Sequence, residues 1–250
     1  MNSRRTLKGV NHVHTELSHD GVCSLEELKK FFKGRGFNFV SLTDHSQDVS
    51  PEAYELLKAQ AAKLADDDFV FVVGLEYSCD EEIHIMGLGL ETITDHTQHG
   101  PVIDHIHENN GMAILAHPTK IKNGLQDSWI RKLDGAEIWN QRADGRVLPQ
   151  VKTIKMFRYL KKINPKLLAF FGADFHGTGR YQNLVITVKD CVLDQKAIVE
   201  ALKAGRYKCT SLLLTVTPEP ELSSFRMMVI GVIKAVMNRV KALRNKVTGE

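Results

Sequence analysis

Three histidines and an aspartate lie close together near the start of the chain, in the stretch VNHVHTELSHDG. They are His12, His14, His19 and Asp20. Neutral imidazole and carboxylate groups are the side chains that bind zinc, manganese and iron in proteins. The alternative is a polar loop whose side chains are simply solvated. The positions of the other histidines and carboxylates in the chain decide between these two interpretations.

Short apolar runs predict the strands that would position such ligands. The predicted strands are Lys8–His14, Asn38–Asp44, Phe69–Glu76, Ile83–Leu90, Met112–His117, Ala136–Trp139, Leu167–Asp174 and Leu184–Val188. Helical periodicity separates most of them, with start signals at Ser24, at Ser50 before Pro51, and at Asp194. Repeated alternation of strand and helix predicts an α/β fold with a parallel sheet.

Candidate ligands recur where these predicted strands end. His12 and His14 end the first strand, Asp44 and His45 the second, Glu76 the third, His117 the fifth, and Asp174 with His176 a later one, while His84 lies in the fourth. Side chains at the carboxyl ends of strands in a βα barrel converge on one mouth, whereas an open doubly wound sheet would spread them along a crevice. We therefore expect a closed barrel with a metal site at these strand ends.

Six segments of the chain resemble, in the same order, motifs of the PHP (polymerase and histidinol phosphatase) superfamily of metal-dependent phosphoesterases. They are HVHTELSHDG, SLTDHS, GLEYSCDEEIHIMGLGL, GMAILAHP, GAEIWN and GADFHG. One short motif is weak, but six in order are specific. The chain is most similar to the stand-alone members, especially those that act on nucleotides or short RNA. The resemblance implies a distorted (βα)7-type barrel with its metal site at the carboxyl ends of the strands.

The resemblance also implies nine metal ligands that hold three divalent ions of zinc, manganese or iron. The implied ligands are His12, His14, Asp20, His45, Glu76, His84, His117, Asp174 and His176. The first ion would be bound by His12, His14, Glu76 and Asp174, the second by Asp20, His45 and His176, and the third by Glu76, His84 and His117. Glu76 would then bridge the first and third ions.

Hydrolysis of a phosphate ester is the chemistry that such a cluster suits. Two ions about 3.5–4 Å apart can hold a bridging hydroxide, lower its pKa and aim it at phosphorus. Glu76 and Asp174 would then be catalytic, and His19 is a candidate general acid. Three cations that follow strand ends are candidate ligands of the substrate phosphate: Lys120, Arg142 and Arg180. The expected substrate is a nucleotide, a sugar phosphate, a phosphoprotein or a short nucleic acid.

The composition is that of an ordinary globular protein, with 43% hydrophobic and 25% charged residues. Its net charge of +3 and the lack of an aromatic-rich basic groove give no support for binding long nucleic acids. Cys23, Cys79, Cys191 and Cys209 are scattered, which predicts reduced, buried thiols. We find no signal peptide and no run of about 18 apolar residues, so we expect a cytoplasmic protein.

The C-terminal part differs in character from the predicted barrel, which spans residues 1–214. Pro218 and Pro220 predict a linker over residues 215–222. In residues 223–250, apolar side chains recur at spacings of four and three beside six cations, which predicts a basic amphipathic helix. This helix packs on the barrel or on another subunit in one interpretation. In the other it contacts a partner groove or an anionic inner membrane surface, so that the protein is peripheral there.

Two other functions are compatible with parts of this pattern. A metal amidohydrolase barrel also opens with two histidines at a strand end, but it would not need Asp20, His84 and the DFH segment together. A non-catalytic metal-binding scaffold, recruited through the C-terminal helix, is the other alternative. All nine implied ligand positions hold a histidine, an aspartate or a glutamate. A scaffold that has lost its ligands is therefore a weaker interpretation than an active enzyme.

Overall fold

Twelve strands and seven α-helices form the regular structure in the part of the chain that the computed structural model describes, residues 3–121, 123–181, 184–221, 228–236 and 239. The strands are β1 Arg5–Val13, β2 Phe39–Leu42, β3 Asp44–His45, β4 Val70–Val72, β5 Gly74–Cys79, β6 Ile83–Leu88, β7 Met112–Leu115, β8 Gly135–Asn140, β9 Leu168–Gly172, β10 Val185–Cys191, β11 Tyr207–Thr210 and β12 Thr215–Val216. The helices are α1 Leu25–Lys33, α2 Pro51–Leu64, α3 His99–Glu108, α4 Asp127–Ile130, α5 Gln141–Asp144, α6 Val151–Ile163 and α7 Gln195–Lys203. Residues 228–236 are also helical and are called the C-terminal helix below.

The helices begin where the sequence predicted. Ser24 and Glu27 form a reciprocal capping box at the start of α1. The Ser50 side chain accepts a hydrogen bond at the start of α2, and the Asp194 side chain does so at the start of α7. These contacts satisfy backbone N–H groups that a helix leaves unpaired in its first turn. The start signals at these three helices are therefore confirmed.

The strands form two six-stranded sheets, with the orders β12-β11-β10-β1-β2-β4 and β3-β5-β6-β7-β8-β9. The chain passes from the first sheet to the second between β2 and β3, returns to the first sheet at β4 and enters the second again at β5. Both β2–β4 and β3–β5 pair parallel. The sheets also meet beyond β9, where the His14 N–H donates to the Phe175 carbonyl at 2.9 Å and the Phe175 N–H donates to the His12 carbonyl at 3.0 Å. The ends of β1 and β9 are therefore adjacent.

The mixed α/β class agrees with the sequence, but uniform parallel pairing does not. β5 pairs antiparallel with β6, because only three residues connect them, and β6 also pairs antiparallel with β7. β1, β10 and β11 are also antiparallel neighbours. A short connection returns the chain along its own direction, whereas a parallel neighbour needs a long crossover. The two sheets thus replace the regular series of βα units that the sequence predicted.

The sheet extends past the predicted end of the barrel. The sequence did not predict β11, and it assigned Thr215 and Val216 to the linker over residues 215–222. Both residues form β12 and pair with Thr210 and Cys209 of β11.

Among the described helices, none combines the length and hydropathy that a bilayer-spanning segment requires. The division into residues 1–214, 215–222 and 223–250 stays a prediction, and most of the last segment lies outside the described residues.

All four cysteines are free and buried, as the sequence predicted. Burial raises the pKa of Cys79 and of Cys209 to about 12, since a thiolate would lose its hydration there. We predict that the native protein reacts very slowly with Ellman's reagent at neutral pH, because the thiolate is the reactive form. The absorbance of the released thionitrobenzoate measures the reaction. Unfolding in guanidinium should expose four reactive thiols, and rapid labelling of the native protein would contradict the buried placement.

Candidate metal centre

The Glu76 carboxylate lies at the centre of a cluster of imidazoles. It is placed by β5, and its side chain is 1% exposed. Its Oε1 lies 3.4 Å from His12 Nε2, 3.0 Å from His84 Nδ1 and 2.9 Å from His117 Nε2, and its Oε2 lies 3.6 Å from His14 Nε2 and 3.2 Å from His45 Nδ1. Burial by itself would raise the pKa of the Glu76 carboxyl, but the imidazoles of His12, His117 and His45 hold it well below its usual value.

Antiparallel pairing explains how His84 joins this cluster. His84 is the second residue of β6, so it lies at the start of a strand rather than at its end. Because β6 runs antiparallel to β5, His84 pairs with Ser78 near the carboxyl end of β5. The start of one strand and the end of its neighbour thus meet at the same edge of the sheet.

The backbone is strained at three of the candidate ligands. His12, His117 and Asp174 have φ angles of 67°, 26° and 49°, in the left-handed region that side chains other than glycine rarely adopt. A residue held in this region raises the free energy of the folded state by on the order of 1–3 kcal/mol. Such strained residues are concentrated at functional sites. His12 and His14 do not therefore share one face of a regular strand, although their ring centroids lie only 5.2 Å apart.

A second group of candidate ligands lies beside the first, toward the surface. Asp20 Oδ2 is 3.0 Å from His176 Nε2, and Asp20 Oδ1 is 3.5 Å from His45 Nε2. The His176 ring stacks on the His14 ring at a centroid distance of 4.1 Å. Asp20 and His176 are partly exposed, whereas Glu76 is buried. The cluster therefore opens to the solvent on the side of Asp20 and His176.

Several buried polar atoms in the cluster make no well-aligned hydrogen bond with a described residue, although four of them lie within 3.6 Å of a Glu76 oxygen. They are His12 Nε2, His14 Nε2, Asp20 Oδ1, His45 Nδ1, His84 Nδ1 and Asp174 Oδ2. A buried polar atom without a partner costs on the order of 1–3 kcal/mol, so such atoms normally find one. Imidazole nitrogen and carboxylate oxygen are the donors that divalent transition metals prefer. The donor set fits bound metal ions.

These donors form four overlapping groups, each compact enough to hold one ion. The groups are His14, Asp20, His45 and His176; His12, His14 and Asp174; His12, Glu76 and His117; and His45, Glu76 and His84. All nine predicted ligands occur in at least one group. The structure thus brings together side chains that are as far apart in the chain as His12 and His176.

Glu137 of β8 supports the cluster from behind. Its Oε1 lies 2.7 Å from His12 Nδ1, and its Oε2 accepts hydrogen bonds from the His117 N–H at 2.6 Å and from Asn140 Nδ2 at 2.8 Å. A carboxylate at Nδ1 fixes the tautomer of the ring and leaves the Nε2 lone pair for a metal. Glu137 and Asn140 belong to the motif segment GAEIWN, and the structure places both in this supporting layer.

Asp44 supports the other side, as a neighbour that orients groups rather than as a ligand. It accepts hydrogen bonds from the Thr15 N–H at 2.7 Å and from Ser18 Oγ at 2.8 Å. Ser18 Oγ lies 3.1 Å from His14 Nδ1. Sequence reasoning missed Thr15 and Ser18, because polar residues on a loop carry no local signal of the partners they find in the fold.

Arg142 is the predicted substrate ligand that reaches the cluster. Its Nη1 lies 3.0 Å from Asp20 Oδ2 and 2.7 Å from His176 Nε2. Burial would raise the pKa of the Asp20 carboxyl, but its hydrogen bond with Arg142 lowers it. Arg142 is half-exposed at the opening, where its planar donors can meet an incoming anion.

Three further residues were predicted to act at the site: His19 as a general acid, and Lys120 and Arg180 as ligands of the substrate phosphate. His19 is exposed at the rim, where its Nδ1 lies 2.7 Å from Asp48 Oδ2 and its ring stacks on His45. Lys120 is exposed; its backbone N–H donates to the His117 carbonyl at 3.0 Å, but no described contact joins its side chain to the cluster. The side chain of Arg180 lies outside the described residues. The roles predicted for His19, Lys120 and Arg180 therefore stay predictions.

No protein-family model matches the chain, and no curated protein matches it significantly. One similar structure is a two-domain protein from Bacteroides vulgatus that contains a predicted PHP-like metal-dependent phosphoesterase. It has a TM-score of 0.58 and 17% identity, and the alignment covers 85% of this chain and 67% of that one.

Two further similar structures come from other bacteria. A candidate metal-dependent phosphoesterase from Bifidobacterium adolescentis has a TM-score of 0.50 and 15% identity, with 68% of this chain and 88% of that one covered. An amidohydrolase from Chromobacterium violaceum, with bound sulfate and no metal, has a TM-score of 0.54 and 15% identity, with 71% and 90% covered. At these identities the likeness shows the fold. The chain has the fold of the PHP-like metal-dependent phosphoesterases, in agreement with the resemblance of its motifs.

Proposed function

We propose that the protein is a metal-dependent hydrolase of phosphate esters. The observation that carries this proposal is the gathering of nine side chains with nitrogen or oxygen donors, Glu76 and eight others, several of whose buried donor atoms make no well-aligned hydrogen bond. The expected substrate is a phosphomonoester such as a nucleotide or a sugar phosphate, or a short nucleic acid. A small phosphorylated substrate suits the partly exposed opening beside Asp20 and His176. We expect it to act in the cytoplasm.

We propose three divalent ions of zinc, manganese or iron in this centre. The overlapping donor groups and the central position of Glu76 support more than one ion, because Glu76 occurs in two of the groups. Ions held there supply Lewis-acid chemistry: they neutralise phosphate oxygens and make a water molecule more acidic. Imidazole and carboxylate ligands suit all three metals, so availability would decide which one is bound.

The protein's own residues bind the substrate phosphate and orient the metal ligands. We assign Arg142 to the substrate phosphate, because its guanidinium lies at the opening and already contacts Asp20 and His176. Glu137 and Asp44 hold His12 and, through Ser18, His14 in fixed orientations. Glu76 and Asp174 supply negative charge that retains the ions. We propose His19, fixed by Asp48 at the rim, as the group that protonates the leaving oxygen.

We also propose that the two sheets form one distorted (βα)7-type barrel. Support comes from the passage of the chain between sheets at β2–β3 and β4–β5, and from the hydrogen bonds that join β1 to the residues after β9. In such a barrel the carboxyl ends of the parallel strands meet at one mouth. That arrangement accounts for the meeting of His12, His117 and Asp174, which lie at or just beyond the carboxyl ends of three different strands.

An amidohydrolase is the second candidate, because one similar structure is that of an amidohydrolase. The two functions separate in one experiment: a metal-loaded sample is given an aryl phosphate in parallel with amide and lactone substrates. A non-catalytic scaffold is the third candidate. It would replace our proposal if metal-loaded protein hydrolysed no phosphate ester and Glu76→Ala changed only stability.

We predict that metal-reconstituted protein releases phosphate from a panel of phosphate esters and that His14→Ala lowers kcat/KM by at least about a hundredfold, since it removes a donor from two of the groups. Phosphate release and elemental analysis measure activity and bound metal together. His96→Ala is the matched control, because His96 is exposed and lies outside the cluster. Equal activity of His14→Ala and the control would contradict the proposed site.

We predict that Glu137→Gln weakens metal binding by about 10–100-fold while the fold persists. The amide keeps the size of the side chain but removes the charge that holds the His12 tautomer. Titration of metal-free protein with a competing chelator measures the affinity. Glu108→Gln is the matched control on an exposed helical surface. An unchanged metal affinity in Glu137→Gln would show that the Glu137 carboxylate does not contribute to metal binding.

We predict that removing metal with a chelator lowers the thermal midpoint of the protein. A ligand that binds only the native state stabilises it by about 2.7 kcal/mol at a hundred times its Kd. Differential scanning calorimetry of metal-loaded and chelated samples measures the shift, and adding back zinc or manganese should restore it. Identical midpoints in the two samples would argue against a metal centre built around Glu76.

A further inference from the structure

The C-terminal helix, residues 228–236, packs on the rest of the protein through one narrow side. Ile230 is 7% exposed, and the backbone of Gly231 lies so close to Val151 that a Cβ there would be 3.4 Å from the valine side chain. The Lys234 ammonium donates a hydrogen bond to the Asp144 carbonyl at 2.5 Å. Partial burial lowers the pKa of Lys234. These contacts fix the helix against α5 and the start of α6.

The opposite side of the same helix presents apolar side chains to the solvent. The exposed fractions are 58% for Met228, 38% for Val229, 58% for Val232, 39% for Ile233 and 55% for Val236. At 3.6 residues per turn these five side chains fall within one arc, and Ile230 and Lys234 fall outside it. An amphipathic helix normally turns its apolar side inward, so this outward strip marks a surface that contacts something else.

The surroundings of this strip are strongly cationic. α6, against which the helix packs, contains five cations and no acidic residue; they are Lys152, Lys155, Arg158, Lys161 and Lys162. Arg146 and Val147, just after Asp144, are exposed as well. In the sequence, residues 222–249 carry six cations and no acidic residue. Lys161 lies 3.7 Å from the Glu219 carboxylate, and the other four cations of α6 are exposed. The exposed apolar strip thus belongs to a helix that packs against a cation-rich helix.

We propose that this face binds an anionic membrane surface, with the apolar strip of the C-terminal helix inserted between the lipid headgroups. Apolar side chains gain from leaving water, and each lysine or arginine near an anionic leaflet adds about 1 kcal/mol of attraction. A second copy of the chain fits poorly, because a twofold interface would place this cationic face against itself. The inference does not depend on the proposed chemistry at Glu76.

The proposed membrane face begins beside the metal centre. Asp144, which holds Lys234, is in the same short helix as Arg142, and Arg142 contacts Asp20. Lys152 of α6 donates a hydrogen bond to the Thr119 carbonyl, two residues after His117. Attachment through this face would therefore hold the opening of the centre near the lipid surface.

The test uses the full-length protein and sedimentation with vesicles. Vesicles of phosphatidylglycerol and phosphatidylcholine should bind the protein at least about tenfold more strongly than vesicles of phosphatidylcholine alone. Raising the salt from about 0.1 M to about 0.5 M should release most of it, because exposed charges are then screened. Equal binding to both vesicles, or no binding to either, would overturn the proposal.

Substitutions identify the surface involved. Val232→Glu should lower the binding constant for anionic vesicles by about tenfold or more, and neutral Val232→Ser should also lower it, because both remove apolar contact with the lipid. Leu56→Glu is the matched control, since Leu56 is 65% exposed on α2. Its vesicle binding should stay within about twofold of the parent, since it lies outside the proposed strip. Unchanged thermal midpoints show that each variant is folded.

Two further outcomes would also overturn the proposal. One is vesicle binding by Val232→Glu that equals binding by the parent chain. The other is a parent chain that self-associates in light scattering and becomes monomeric in Val232→Glu, since a second copy would then cover the apolar strip. Loss of vesicle binding in both Val232 variants, with binding kept in Leu56→Glu, supports the membrane face.

Discussion

The buried negative charge of Glu76 is the constraint around which the rest of the centre is arranged. A carboxylate removed from water costs several kcal/mol unless positive charge or hydrogen-bond donors surround it. Five imidazoles lie within 3.6 Å of its oxygens. Burial disfavours a charged imidazole at His12, yet Glu137, Glu76 and Asp174 together raise its pKa well above the usual value. The interior of the cluster therefore attracts positive charge.

The strained backbone and the additional buried carboxylates near Glu76 would each destabilise the fold by themselves, and contacts within the cluster offset this. Left-handed backbone at His12 and Asp174 persists because the two sheets meet there and hydrogen bonds after β9 hold the chain in place. At His117 the backbone N–H is held by the Glu137 carboxylate. Glu137 and Asp44 are two more buried carboxylates, and each is satisfied by donors that also fix a ligand. Burial raises the pKa of Asp44, and its hydrogen bonds with Thr15 and Ser18 work in the opposite direction. Ligands and supports thus stabilise one another.

Asn140, the last residue of β8, and helix α5 connect the candidate metal centre to the proposed membrane face. Asn140 contacts Glu137 behind the metal centre, Arg142 contacts Asp20 at its opening, and Asp144 receives Lys234 of the C-terminal helix. Five consecutive residues thus contact the candidate metal centre at one end and the proposed membrane face at the other. Hydrolysis of a phosphate ester and attachment to an anionic surface would share one rigid element, since Asp144 is buried and bonded to Thr153 of α6.

The sequence by itself determined the mixed α/β class, the starts of α1, α2 and α7, and the set of nine side chains that meet at the centre. The class and the helix starts depend on local signals, which are capping residues and apolar periodicity. The set of nine side chains came from the resemblance of six motifs to those of the PHP superfamily. Tertiary structure decided the antiparallel pairing of β6, the strands β11 and β12, the supporting contacts of Ser18 and Glu137, and the contact of Arg142 with Asp20. These depend on which distant segments become neighbours, and pairing partners leave no periodic or capping signal in the residues themselves.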